Sequence, residues 1–92
     1  MSLRSGDVDR GWAKLGMVIK DTNDRHALLF HDGKFILRTK RSFGSGKIEG
    51  RVQFYIRQQM KLSESEFDDL IACPLDLPKY IEILRRKGML QQ

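Results

Sequence analysis

The run Arg25-His26-Ala27-Leu28-Leu29-Phe30-His31-Asp32-Gly33-Lys34-Phe35-Ile36-Leu37-Arg38-Thr39-Lys40 decides the fold. Two stretches of apolar, strand-favouring residues flank Asp32-Gly33. A two-residue hairpin turn of type I′ needs a positive φ at both central positions, and an Asp-Gly pair meets that demand at little steric cost. Equal counting outward from the turn puts Phe30 opposite Phe35, Leu28 opposite Leu37 and His26 opposite Thr39. Side chains alternate along a strand, so these six share one face. Leu29 and Ile36 share the other, with Ala27, Arg25, Arg38 and Lys40. The first face is the expected core face, with His26 at its polar end.

Outward from the hairpin, the remaining elements follow from periodicity and punctuation. Met17-Val18-Ile19 predicts a short preceding strand, and Asp21-Thr22-Asn23-Asp24 a polar turn. Asp7 to Leu15 predicts a helix with Asp7 as its cap, apolar Val8, Trp12 and Leu15 at helical spacing, and Gly16 as its stop. After Gly44-Ser45-Gly46 a helix is expected from Lys47 to about Lys61, burying Ile48, Val52, Tyr55, Ile56, Gln59 and Met60. Ser63 and Glu66 form a capping box for a third helix that presents Phe67, Leu70 and Ile71 inward and stops at Cys73-Pro74. Asp76 caps a last helix, with Pro78 in its first turn and Gly88 past its end. Its apolar set is Tyr80, Ile81, Leu84, Met89 and Leu90. The order α-β-β-β-α-α-α predicts a small α+β domain, helices on one face of a three-stranded antiparallel sheet.

Composition narrows the function. A chain of 92 residues holds a single domain, read as a 7–62 core with a helical extension over 63–92, and this excludes an enzyme with separate cofactor and substrate lobes. The 17 Lys+Arg against 12 Asp+Glu leave a net charge of +5, with a sequence pI of about 9.7. The excess is uneven: residues 1–62 carry +7 and residues 63–92 carry −2. Between Lys34 and Lys61 the only acid is Glu49. That window is either a solvated basic face or an electrostatic footprint for phosphates. One cysteine, Cys73, forms no internal disulfide and builds no Cys-rich zinc site. The polar N-terminus lacks a signal-peptide core and no apolar run approaches a membrane span, so a cytoplasmic location without membrane contact is expected.

Three features carry candidate chemistry. His26 is a natural general acid or base, although a lone histidine on a sheet is more often structural. His31, beside the turn, reads as inert. Gly44-Ser45-Gly46-Lys47 at a helix start offers close backbone approach and a favourable dipole to an anion, or is an ordinary loop. It lacks the spacing of a nucleotide-binding P-loop. Asp68 and Asp69 are adjacent on a helix, diverge, and make a poor carboxylate pair.

Several segments together carry a family resemblance: Gly11-Trp12 to His26, Leu28 to Thr39, Gly44-Ser45-Gly46-Lys47, Ile56-Arg57-Gln58-Gln59 to Ser63, and Glu66-Phe67. They resemble the HicA (YcfA-like) toxin family over roughly residues 7–72, with an added C-terminal helical segment. The resemblance implies a fold like the double-stranded-RNA-binding domain, a ribonuclease of the mRNA-interferase type acting without a cofactor, and a partner antitoxin. It places the catalytic histidine at His26. Relatives usually carry Gly-Ser before that histidine, where this chain has Asp24-Arg25, and the Pro-containing segment after their third strand is here Thr39-Lys40-Arg41. The expected RNA- and phosphate-binding residues are Arg25, Arg38, Lys40, Arg41, Ser45, Gly46, Lys47 and Arg51, with no metal ligand among them. RNA read largely by shape and 2′-OH contacts is the expected partner. The alternative is a non-catalytic nucleic-acid-binding or protein-interaction module of the same fold.

Overall fold

The computed structural model describes residues 3–42, 46–72 and 75–90. Helix α1 (Ser5–Lys14) leads into strands β1 (Val18–Asp21), β2 (Asp24–His31) and β3 (Lys34–Ser42). Helices α2 (Gly50–Gln59), α3 (Glu64–Ala72) and α4 (Leu77–Arg86) follow. The three strands form one antiparallel sheet in the order β1-β2-β3, so β2 is central. The coarse α+β architecture is therefore as the patterning predicts. The expected stop at Cys73-Pro74 lies outside the described residues.

The hairpin turn forms as its chemistry requires, with φ of 53° at Asp32 and 76° at Gly33. Phe30 pairs with Phe35, as counted. Beyond that pair the simple register fails. A bulge shifts the pairing between Leu29 and Phe30, so Leu29 meets Leu37, Leu28 meets Arg38, Ala27 meets Thr39 and His26 meets Lys40. One extra residue on β3, Ile36, reverses which face its later side chains occupy. The core face is therefore Ala27, Leu29, Leu37 and Thr39, all buried. The expected core residues Phe30 and Phe35 are 46% and 53% exposed, and His26 and Leu28 share their outward face. The physical reason lies at the other end of the hairpin. Arg25 and Arg41 pair across the strands and both reach Asp9 on α1, which commits that side of the sheet to the helices.

The helix layer is built on matched ends. At α1 the N-cap is Arg4, not Asp7; Asp7 sits at the third helical position and accepts the Arg4 backbone N–H at 3.0 Å. Three helices end in the same double hydrogen bond, which satisfies carbonyls that lack an intrahelical partner. Gly16 and Met17 donate to Ala13 and Trp12; Lys61 and Leu62 to Gln58 and Arg57; Gly88 and Met89 to Arg85 and Leu84. The left-handed residue is Gly16 in α1 and Gly88 in α4, as the stop signals predict, but Lys61 in α2. The capping box of α3 is formed, with Ser63 N–H on Glu66 Oε1 at 2.8 Å and Glu66 N–H on Ser63 Oγ at 3.2 Å. At α4, Lys79 N–H donates to Asp76 Oδ1 at 3.2 Å.

A single cluster of buried side chains draws on α1, the sheet, α2, α3 and α4: Trp12, Leu29, Ile56, Leu70 and Leu84 are members. Tyr80 of α4 is fully buried and donates its hydroxyl to the Met60 carbonyl at 2.7 Å. Burial without a charged partner pushes that phenol far above its ordinary range. Tyr55, expected on the buried stripe of α2, is 54% exposed, and Met89 beyond α4 is also exposed. Gln59 is exposed but accepts the Thr39 hydroxyl at 2.8 Å, which fastens α2 to the inner face of β3.

Candidate functional site

The bulge leaves the outward face of the sheet with an ordered composition. At one end, Lys20, His26 and Lys40 stand directly across from one another on β1, β2 and β3. Residues paired across antiparallel strands project to the same side with Cβ atoms about 5 Å apart, so an imidazole lies between two ammonium-bearing side chains. The next outward row is Val18, Leu28 and Arg38. At the hairpin end, Phe30 and Phe35 meet edge to face with ring centroids 5.8 Å apart.

His26 is half-buried, and its Nε2 lies 3.1 Å from Thr22 Oγ1 in the β1–β2 turn. A hydroxyl donated to Nε2 leaves the ring proton on Nδ1; an accepting hydroxyl leaves Nδ1 as the basic nitrogen. Lys40 reaches Asp24 at 3.3 Å, with the lysine side chain 55% exposed. A pair this open contributes little to stability and is readily exchanged for another anion. Among the described residues Lys20, Lys34 and Arg38 make no ion pair.

The predicted site residues divide. His26, Arg38 and Lys40 share the outward face. Arg25 and Arg41 do not, because both are turned toward α1. Arg41 is buried and grips Asp9 with two bonds of 2.9 and 2.7 Å, while Arg25 donates to Asp9 at 3.0 Å and to Asp21 at 2.9 Å. The Arg41 guanidinium, hydrogen-bonded to Asp9, holds that carboxyl below the usual carboxylate range. Gly46 and Lys47 are tied to the N-terminal segment: Gly46 accepts the Ser5 N–H at 2.9 Å, and Lys47 forms an isolated antiparallel bridge with Arg4. Arg51 is exposed on the first turn of α2, whose packing is to the inner face. Ser45 lies outside the described residues. Lys20 is the outward-face neighbour of His26 that the sequence reading missed. Its signal was the short turn after Asp21, which pairs Lys20 with His26 by simple counting.

No group of three His, Cys, Asp or Glu side chains converges among the described residues, and no helix there is long and apolar enough to cross a membrane. Neither protein-family models nor curated proteins nor solved structures provide a match to the chain.

Proposed function

We propose that this chain is a small RNA-binding protein of HicA-like toxin type, an endoribonuclease in which His26 is the acid–base group. The observation that carries this reading is the Lys20–His26–Lys40 row on an open sheet face. Phosphodiester cleavage needs an acid–base group and fixed positive charge beside the phosphate, and the pairing of an imidazole with two ammonium-bearing side chains supports that reading. His26 takes the proton from a ribose 2′-OH. The 2′-oxygen bonds to phosphorus while the bond to the 5′-oxygen breaks, and that oxygen takes up a proton from the Lys40 ammonium or from water. The products are a 2′,3′-cyclic phosphate and a 5′-hydroxyl. Lys20 and Lys40 balance charge on the non-bridging oxygens. In this reading the layer of helices behind the sheet corresponds to that of a double-stranded-RNA-binding domain, the chain works in the cytoplasm, and an antitoxin protein restrains it.

The test compares wild type with His26→Ala on a labelled RNA. Cleavage is expected to fall by at least roughly a hundredfold, the lower end of what a positioned acid–base group contributes. Binding of the uncleaved RNA should change by less than about threefold, since the cations remain. Equal cleavage by both proteins removes His26 from the mechanism. Salt-sensitive RNA binding with no cleavage in either converts the reading to the non-catalytic module.

A further inference from the structure

We propose that the Phe30–Phe35 pair is a base-stacking subsite that selects a single-stranded stretch of RNA and delivers its backbone to His26. The inference rests on the RNA reading above and adds to it the substrate form and the site that chooses it.

Two phenylalanines paired on an open sheet, 46% and 53% exposed and in edge contact, are an unusual expenditure of apolar surface for a small basic protein. Their environment is cationic. Lys34 adjoins the turn, Arg38 lies in the next outward row, and Lys20 and Lys40 flank His26. The acids nearby are Asp24, held by Lys40, and Asp32 beside His31 at the hairpin tip. Exposed aromatic faces interleaved with Lys and Arg on a sheet match the chemistry of a polyanion with flat, unstacked bases. A second copy of this chain fits poorly, because its own Lys and Arg would oppose these. A duplex fits poorly too, since its bases are stacked on each other and unavailable to a ring on a flat sheet.

The spacing along β2 gives the site a direction. Phe30 lies four residues from His26, about 13 Å at about 3.3 Å per residue. A base seated on the phenylalanines therefore places the scissile phosphate a few nucleotides away, with Arg38 between to hold an intervening phosphate. Single strands accordingly bind with the base end at the hairpin tip and the reacting end at the Lys20–His26–Lys40 row.

The experiment measures fluorescence anisotropy of a labelled 12-nucleotide RNA, free and annealed to its complement, in the His26→Ala protein so that nothing is cleaved. Single strand should bind at least roughly tenfold more tightly than duplex, and Phe30→Leu/Phe35→Leu should lose roughly tenfold or more of single-strand affinity. Phe30→Tyr, which keeps the stacking ring, should retain it. Phe54→Leu, at an equally exposed aromatic on α2, should leave it unchanged. Melting curves of each variant confirm folding. Equal binding of both RNA forms, or an equal loss from Phe54→Leu, overturns the stacking subsite while leaving RNA binding intact. Failure of any RNA to bind, or binding only to phosphatidylglycerol vesicles, overturns the subsite and the RNA reading together.

Discussion

At Lys61 the backbone adopts a φ of 62°, a left-handed conformation that costs an L side chain about 1 kcal/mol relative to glycine. The same position in α1 and α4 is glycine. Lys61→Gly should therefore raise stability by roughly 0.5–1 kcal/mol, read as a higher urea midpoint with an unchanged slope. Asp9 carries the opposite risk. It balances Arg41, whose side chain is 6% exposed, so Asp9→Ala takes the carboxylate from a buried guanidinium. The expected loss is roughly 2–3 kcal/mol, below the 3–5 typical of a fully buried pair because Asp9 itself is a third exposed. The interaction also has a pH signature. The Arg41 hydrogen bond holds the Asp9 carboxyl below its ordinary range in the folded state, so the unfolded chain binds more protons at acid pH. The stabilisation is complete above the unfolded value of about 3.9 and is lost as pH falls through the depressed folded value. Thermal melts from pH 6 down to pH 2 should show a shallower acid decline in Asp9→Asn than in wild type.

At the scale of elements, the hairpin shows how far a turn motif reaches. Asp32-Gly33 sets the first cross-strand pair, and the positive φ values there are legible from residue types alone. The bulge at Ile36 is not legible in the same way. Nothing local marks it, because Ile suits either face of a strand and its neighbours are apolar on both sides. What places it is a long-range pairing, Arg25 and Arg41 with Asp9. This has a direct consequence. Deleting Ile36 removes the extra residue and leaves Phe30–Phe35, Leu29–Leu37 and Ala27–Thr39 still in register. The variant should fold with the same residues protected from hydrogen exchange, at a cost of about 1–2 kcal/mol for the lost apolar contact of a partly buried isoleucine. Exchange of protection to the alternate residues of β3 would show that Ile36 is not the residue whose insertion sets the register.

Across the whole molecule, the extension beyond residue 62 is part of the core, since Tyr80, Ile83 and Leu84 pack with residues of α1 and the sheet in one buried cluster. Tyr80→Phe leaves the Met60 carbonyl without its donor and should cost about 1 kcal/mol, whereas Tyr80→Ala should cost roughly 3–5 kcal/mol through the cavity it opens. Chemical denaturation of the two variants separates the hydroxyl from the ring. Charge acts at the same scale. On the RNA reading proposed above, three or four phosphates neutralised by Lys20, Arg38, Lys40 and Lys34 predict that log Kd for single-stranded RNA rises with log salt at a slope of about 2–3. Replacing any one of these lysines by Met should lower the slope by about 0.7.

By itself, the sequence determined the element order, the Asp32-Gly33 turn, the caps at Ser63 and Asp76, the glycine stops at Gly16 and Gly88, and the concentration of positive charge before residue 62. Each is a local matter: a φ preference, a hydrogen bond three residues away, or a count. Only the tertiary structure decided which face of the sheet meets the helices. The alternation of a strand has two equivalent phases, and one bulged residue exchanges them. That exchange moved His26 and the two phenylalanines to the open side, beside Arg38, Lys40 and the missed Lys20, and it turned Arg25 inward, where it joins Arg41 on Asp9.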